Sequence, residues 1–295
     1  MMKYILKITP IVVALVSCLL LSCQKEQPTY QGPNFIMFSS ESHTLGILSE
    51  EEWFEIPVSA SRTADHDRNI GVEVIISESS AIEDMHYAIE SHTLTIKAGE
   101  LATAVRIKGI PEAISPNASV DVKLSLVLDD KDIFEEYNTS TTVTLQRCCE
   151  FDINQFTGYA VLTSTWSMQY MNTDARLVRT HLDKEQNVIV IDDMFYEGYD
   201  IRVKLHSDDR LNPLASLCGP QVLGTTGEAF GTIYGNGKLM TDAPMGSVSY
   251  YSTCESFLLL YTVMYVDEVG TVGNYVNILE WVSDDEAERI MREGF

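Results

Sequence analysis

The chain has 295 residues, with 20 Lys and Arg against 43 Asp and Glu, for a formal net charge of −23. A field of that sign speaks against nucleic acid and anionic membrane surfaces as partners, since both are held by clustered basic residues. The length sets a soft expectation of two domains.

Taken in order, Lys3 and Lys7 precede an apolar run from Ile8 to Leu21, broken only by Thr9, Pro10 and Ser17. A membrane-spanning helix needs about 20 apolar residues, so residues 1–22 read as a secretory signal peptide. The stretch Leu20-Leu21-Ser22-Cys23 resembles the lipobox of bacterial lipoproteins. That resemblance implies cleavage before Cys23, lipid attachment there, and a membrane partner reached through the lipid anchor. Loss of the two leader lysines would leave the mature chain at −25. Gln24, rather than Asp, follows the cysteine, which in such families implies the outer membrane. Gln24-Lys25-Glu26-Gln27 resembles tags that carry lipoproteins to the cell surface in the Bacteroidetes. Pro28, Gly32 and Pro33 make residues 23–33 an extended tether.

Residues 34–147 alternate with period two, the signature of half-buried strands. Phe54, Ile56, Val58 and Ala60 share one face, with Glu55 and Ser59 on the other. Ile70 to Ile76, Leu94 with Ile96, Val105 with Ile107, Val120 to Leu126, and Val143 with Leu145 repeat the pattern. Seven or eight short strands without a helix need a second sheet to cover their apolar faces, so an antiparallel sandwich is expected. The strands Phe54–Ser61 and Ile70–Ser77, the loop Glu83-Asp84-Met85-His86-Tyr87, the strand Thr93–Ile96 and the turn Ala98-Gly99-Glu100 resemble the calx-beta sandwich, an immunoglobulin-like fold. Some members of that family bind calcium through acidic loops, and here Asp129, Asp130 and Asp132 follow a strand while Glu83 and Asp84 precede one. Calcium wants six to eight converging oxygens, and a chain this acidic scatters adjacent carboxylates widely, so no metal site is expected. Glu41-Ser42-His43-Thr44-Leu45 recurs as Glu90-Ser91-His92-Thr93-Leu94 without matching flanks. His43 and His92 therefore read as surface residues, not ligands.

Beyond residue 150 the composition changes, with ten of 14 tyrosines and two of three tryptophans. Strands are expected at Gly158–Trp166, Leu177–Leu182, Val188–Ile191, Tyr199–Leu205, Ala229–Tyr234, Ser247–Tyr251, Phe257–Tyr265 and Tyr275–Trp281. Eight strands joined by glycine-marked turns predict an up-and-down β-barrel or a second sandwich over residues 150–295. Ser283-Asp284-Asp285-Glu286 opens a terminal helix to about Arg292, too short to stand unless it docks. Phe156-Thr157-Gly158-Tyr159, the middle strands and the Gly-rich hairpins resemble lipocalin-like C-terminal domains of Bacteroidetes lipoproteins. Lipobox, sandwich and barrel together resemble a two-domain group of such lipoproteins, all-β throughout.

Four cysteines remain after Cys23: Cys148, Cys149, Cys218 and Cys254. Adjacent Cys148 and Cys149 sit too close for an unstrained bond. Cys218 and Cys254 fall in the same half, where they either meet or stay small buried thiols. No zinc spacing, nucleophile elbow, P-loop or dinucleotide motif occurs, and no catalytic residue or cofactor is expected. His181 reads as an exposed strand position and His206 as a loop cap. Trp166, Tyr170, Tyr234, Tyr250 and Tyr251 supply candidate flat faces on which a glycan or other cyclic small molecule stacks. The same rings also serve as ordinary strand and core residues. Tyr250 and Tyr251 are adjacent and so face opposite sides of a strand. The expectation is a noncatalytic lipoprotein that binds a glycan or nutrient, or serves as an accessory subunit of an uptake complex with an outer-membrane protein partner. A fimbria-like structural subunit is the alternative, and a hydrolase a more distant one.

Overall fold

The computed structural model describes residues 32–116, 118–128 and 138–295. The leader, Cys23, most of the tether, and Asp129, Asp130 and Asp132 lie outside the described residues.

The period-two segments become strands whose apolar faces are buried, as in Phe54–Ala60, where Ile56 and Val58 are fully enclosed and Glu55 is exposed. Among the described residues, strands β1 (Ile36–Phe38), β2 (Ser42–Ile47), β3 (Phe54–Ala60), β4 (Arg68–Val74), β5 (Tyr87–Ile89), β6 (Thr93–Ile96), β7 (Ala102–Gly109), β8 (Ser119–Val127) and β9 (Ser140–Arg147) form two sheets. One has the order β1-β3-β7-β5, the other β2-β9-β8-β4-β6. Ile56, Val58, Val105 and Ile107 from the first meet Ile70, Ile96, Val122, Leu124, Val143 and Leu145 from the second in one apolar cluster. The sandwich implied by the alternation is therefore present. The chain enters on one sheet and crosses to the other between Phe38 and Ser42. β1 pairs antiparallel with β3, whereas β2 pairs parallel with β9.

The remaining strands are β10 (Gly158–Ser164), β11 (Ala175–Leu182), β12 (Val188–Asp192), β13 (Ile201–Leu205), β14 (Leu214–Leu217), β15 (Gln221–Thr225), β16 (Lys238–Asp242), β17 (Ser249–Ser252), β18 (Phe257–Val266) and β19 (Gly270–Val282). Each of β10, β11, β12, β13, β14, β17, β18 and β19 pairs antiparallel with the next, and β19 returns to β10. The sheet closes as an eight-stranded up-and-down barrel, which resolves the choice between barrel and second sandwich. β15 and β16 are an annex paired to the far end of β18, with Met240 opposite Tyr265. Period-two patterning missed β14, β15 and β16. It also misplaced a strand at Ala229–Tyr234, where helix α1 (Thr226–Phe230) stands instead. Thr225 accepts from the Glu228 amide while Glu228 bonds the Thr225 amide, and Gly231 at φ 69° ends the helix. This capping box is legible in the sequence and outweighs the weak strand pattern. The terminal helix α2 (Asp284–Glu293) is capped by Ser283 as expected, and its Ala287 is fully buried.

The barrel is a filled core rather than a cup. Leu162, Ile189, Ile191, Ile201, Val203, Leu205, Leu258, Leu260 and Leu279 are fully buried in its cluster. A small polar cluster centred on Asn277 is built into that interior. Asn277 Oδ1 accepts from Ser164 Oγ at 2.7 Å, while its amide donates to Leu260 O at 2.9 Å and to Thr262 Oγ1 at 3.0 Å. Every hydrogen bond of this buried amide reaches β10 or β18, so it bridges both edges of β19.

Sandwich and barrel are joined covalently. Cys149, just after β9, is bonded to Cys254 in the β17–β18 turn, across 105 residues and with 5.2 Å between Cα atoms. Cys148 and Cys218 are free. The adjacent pair is unbonded, as its geometry implies, but the pairing considered for Cys254 is corrected. Its partner comes from the junction because the turn folds back beneath it, where Thr253 Oγ1 also donates to Cys149 O. Closing so long a loop restricts the unfolded chain by roughly 4–5 kcal/mol in the entropic account. Arg210 in the β13–β14 connection adds a bidentate bond to Glu52 of the sandwich, at 2.7 and 2.8 Å.

Asn277→Ala takes from Ser164 Oγ its acceptor and from Leu260 O and Thr262 Oγ1 their donor in a buried interior, and should lower stability by about 2–4 kcal/mol. Urea unfolding measures it, and a loss under 1 kcal/mol would show that the bridge is not a structural contributor.

Candidate functional site

Antiparallel strands send alternate connections to opposite ends of the barrel. Those at 183–187, 206–213 and 253–256 lie at the sandwich end. Those at 165–174, 193–200 and 267–269, with the β15–α1–β16 excursion, lie at the far end.

Three of the five aromatic residues singled out by the sequence converge at that far end. β10 stops at Ser164, earlier than the expected strand, and Trp166 takes helical backbone angles leading into a π-turn over Ser167–Met171. The turn is closed by Asn172 in the left-handed region (φ 51°), a conformation Asn tolerates. This reversal drops Trp166 into the barrel mouth, where it is fully buried, and lays Tyr170 over it, ring centroids 4.2 Å apart and nearly parallel. Phe230, from α1, meets Tyr170 edge-on at 5.6 Å, and Tyr234 meets Phe230 edge-on at 5.9 Å. The rings thus run Trp166, Tyr170, Phe230, Tyr234 from the interior to the surface, where Tyr234 is 46% exposed.

Sequence reasoning missed three supporting residues. Tyr275 of β19 stands edge-on to Trp166 at 5.1 Å, and burial, then its hydrogen bond with Tyr170, pushes its phenol above the ordinary range. Phe230 was assigned to a strand, and only the capping box points to the helix that presents it. Gly224 of β15 lets Tyr196 close the floor, since a Cβ there would come within 2.4 Å of the Tyr196 ring. Burial pushes the Tyr196 phenol up, and the neighbouring Trp166 indole opposes this in part, although Trp166 Nε1 has no hydrogen-bond partner in good geometry. Around this end the exposed apolar residues Ile233, Val269 and Met168 stand among exposed polar ones, Asn236, Asp267 and Glu268 among them.

The other two expected residues lie elsewhere. Tyr250 and Tyr251 of β17 face opposite sides, as neighbours on a strand do. Tyr250 is exposed beside Phe257 on the outer wall, and Tyr251 is buried at the sandwich end with Phe151 and Phe156. The histidines do not converge. His181 pairs with Asp192 at 2.8 Å on the barrel exterior, and His206 shares a 2.8 Å hydrogen bond with Ser216. Among the described residues, no three His, Cys, Asp or Glu side chains are grouped to hold a metal ion. His43 is half-buried rather than at the surface, and burial lowers its pKa. His92 Nε2 meets Glu83 at 2.8 Å beside a groove of about 460 Å³ lined by Val72, Val74, Ile76, Ile82 and Tyr87.

With sandwich and filled barrel in view, the molecule belongs to the class of two-part all-β proteins. Residues 136–293, more than half of the chain, match the family described as "Domain of unknown function (DUF4984)", and the chain belongs to that family. No curated protein matches it. Among solved structures, it is similar to a protein of unknown function from Bacteroides ovatus at 10% identity and TM-score 0.37, covering 83% of this chain and 89% of that one. It is also similar to the calcium binding domain CBD12 of CALX1.1, at 9% identity and TM-score 0.34, covering 88% and 86%. A third is an auxiliary nutrient binding protein from Bacteroides thetaiotaomicron, at 11% identity and TM-score 0.30, covering 82% and 91%. At such identities and scores, what those proteins bind stays with them.

Two outcomes test this description. Trp166→Ala should destabilise the fold by about 3–5 kcal/mol, as removal of a fully buried large aromatic does, whereas Tyr234→Ala should cost under about 1 kcal/mol. His92 titrates above its ordinary value because the Glu83 carboxylate, then the Val72 carbonyl, favour its protonated form. Its contribution to stability is therefore complete below the unfolded-state value and lost as pH rises through the raised folded one. NMR titration of His92 should show the rise, and Glu83→Gln should remove most of it.

Proposed function

We propose that this chain is a noncatalytic lipoprotein of the outer membrane, displayed at the cell surface, that binds a glycan or similar ring-bearing nutrient at the far end of its barrel. The observation that carries the reading is the continuous aromatic series from buried Trp166 to exposed Tyr234. Sugars present apolar C–H faces that stack on aromatic rings, while tyrosine hydroxyls bond their polar rims. A ring held rigid by the packed rings beneath it loses little entropy on binding. The Trp166–Tyr170 stack and the α1 cap supply that rigidity.

The anchor reading rests on Leu20-Leu21-Ser22-Cys23 and places the lipid at the sandwich side of the molecule. The platform then lies beyond the disulfide-tied joint, at the barrel end opposite the sandwich. Firm pairing of β1 with β3, with Ile36 and Phe38 buried, favours an intact sandwich over a fimbria-like subunit whose first strand is exchanged between molecules.

Titration calorimetry with a panel of neutral oligosaccharides tests the ligand. At least one should bind, and Tyr234→Ala should weaken it about tenfold, roughly 1.4 kcal/mol, with the unfolding midpoint unchanged. Binding that survives Tyr234→Ala and Phe230→Ala would move the site elsewhere. If no sugar binds, while the exposed Ile233, Val269 and Met168 are buried in a complex with an outer-membrane protein, the chain is an accessory subunit instead. Cys23→Ala should abolish incorporation of labelled fatty acid, and continued labelling would overturn the anchor.

A further inference from the structure

A second cavity, of about 300 Å³, lies between sandwich and barrel at the opposite end from the aromatic platform. That volume is at the lower end of the ~300–1,000 Å³ range of small-ligand pockets. Its walls come from both halves. Leu48 and the junction Gln146–Phe151 form one side, and Ser207–Arg210, Pro213 and Tyr251–Cys254 the other. The disulfide and the Arg210–Glu52 bond hold these walls at a fixed spacing, so the space is built into the joint.

The chemistry of the lining is asymmetric. Of its two cations, Arg210 is bound bidentately to Glu52 and also donates to Gly46 O, while Arg147 donates to Ile114 O of the sandwich. Of its three carboxylates, Asp209 is tied within its own loop by the Leu211 amide and Asn212. Asp208 and Glu150 are exposed at the cavity's rim, where neither carboxylate is tied to one of the cavity's two arginines. Asp208 lies close enough to Tyr251 for its charge to add to the burial that pushes that phenol up to about 12, and the phenol donates to His206 O at 3.0 Å. The Tyr251 ring therefore stays neutral. The buried Tyr251 ring stands edge-on to Phe151 at 5.6 Å and backs it, so the half-buried Phe151 is the aromatic face the cavity presents beside the carboxylates. Aromatic faces attract cations through the ring quadrupole, and charge-assisted hydrogen bonds to a carboxylate are the strong kind.

We propose that this joint cavity binds a compact organic cation, an amine carrying an apolar body. Asp208 receives the ammonium group, with Glu150 adding to the field, and Phe151, held from behind by Tyr251, covers the body. The strongly acidic chain as a whole supports the same sign of ligand by raising the local concentration of cations at its surface. This site is independent of the glycan reading, because it lies at the other end of the barrel and shares no residue with it.

Tyramine is a suitable probe, with 4-ethylphenol as the same body without the amine and 3-(4-hydroxyphenyl)propionate as its anionic counterpart. Calorimetry and NMR on the full chain should show tyramine binding and neither counterpart binding measurably. Asp208→Asn should weaken tyramine about tenfold while leaving the unfolding midpoint unchanged, since Asp208 is exposed at the rim. Phe151→Ala should weaken it less, and Tyr234→Ala not at all. Absence of tyramine binding, equal binding of the uncharged or anionic counterpart, or an unaffected Asp208→Asn variant would each overturn the proposal.

Discussion

The closure of the barrel by β19 is the constraint on which the second half of the molecule depends. Thirteen residues long, it hydrogen-bonds to β10 on one edge and β18 on the other, so no strand of the ring is left open. A closed ring removes the exposed edges that invite aberrant pairing. Asn277 lies midway along it and bonds side chains or backbone on both neighbours. An amide in so apolar a place costs free energy unless satisfied. Here each bond it can make fixes the register at the point of closure. Register matters because a one-residue slip would turn every inward side chain out.

Because the interior is filled, the barrel does not form a cup, and its exposed rings and its joint cleft lie at its two ends. The ends differ in chemistry. The far end is a stack of neutral rings emerging through α1 at a surface of mixed apolar and polar residues. The near end is a fixed cleft of mixed walls, where the protein spends its cations on its own carbonyls and Glu52. Rings without charge suit a neutral ring-bearing ligand, whereas an exposed carboxylate beside a ring suits a cation. One scaffold thus offers two unlike surfaces, set by where the strands end rather than by the strands themselves.

The joint contributes as much as either half. A disulfide and a bidentate arginine tie the sandwich to the barrel beside the junction between β9 and β10. Cys148, next to the bonded Cys149, stays a buried thiol that donates to Arg210 O, and burial pushes its pKa up. A raised thiol is a poor nucleophile, which protects the neighbouring bond from exchange.

The sequence by itself determined the class of fold. Period-two alternation marks β3, β4, β8 and β9 because one face of each must leave water, and that requirement is written residue by residue. It also determined the end helix, through Ser283, and the turn glycines. Short or irregular elements escaped it: β14 and β15 carry few large apolar residues and sit among Pro213, Gly219, Pro220 and Gly224, β15 is bulged between Val222 and Gly224, β16 pairs only as part of the β15–α1–β16 excursion, and α1 was hidden under aromatic residues that also suit strands. Of the candidate rings, the sequence named Trp166, Tyr170 and Tyr234 but not what gathers them. Their meeting depends on a π-turn that reverses the chain after β10 and on a helix inserted between β15 and β16. Tyr250 and Tyr251 carry the same chemistry yet went to an outer wall and to the core, because strand position and not residue type decides which way a side chain points. The pairing of Cys149 with Cys254 was likewise decided only by tertiary structure. Contacts between residues 105 apart arise from the closure of the sheet, and local pattern carries no record of that closure.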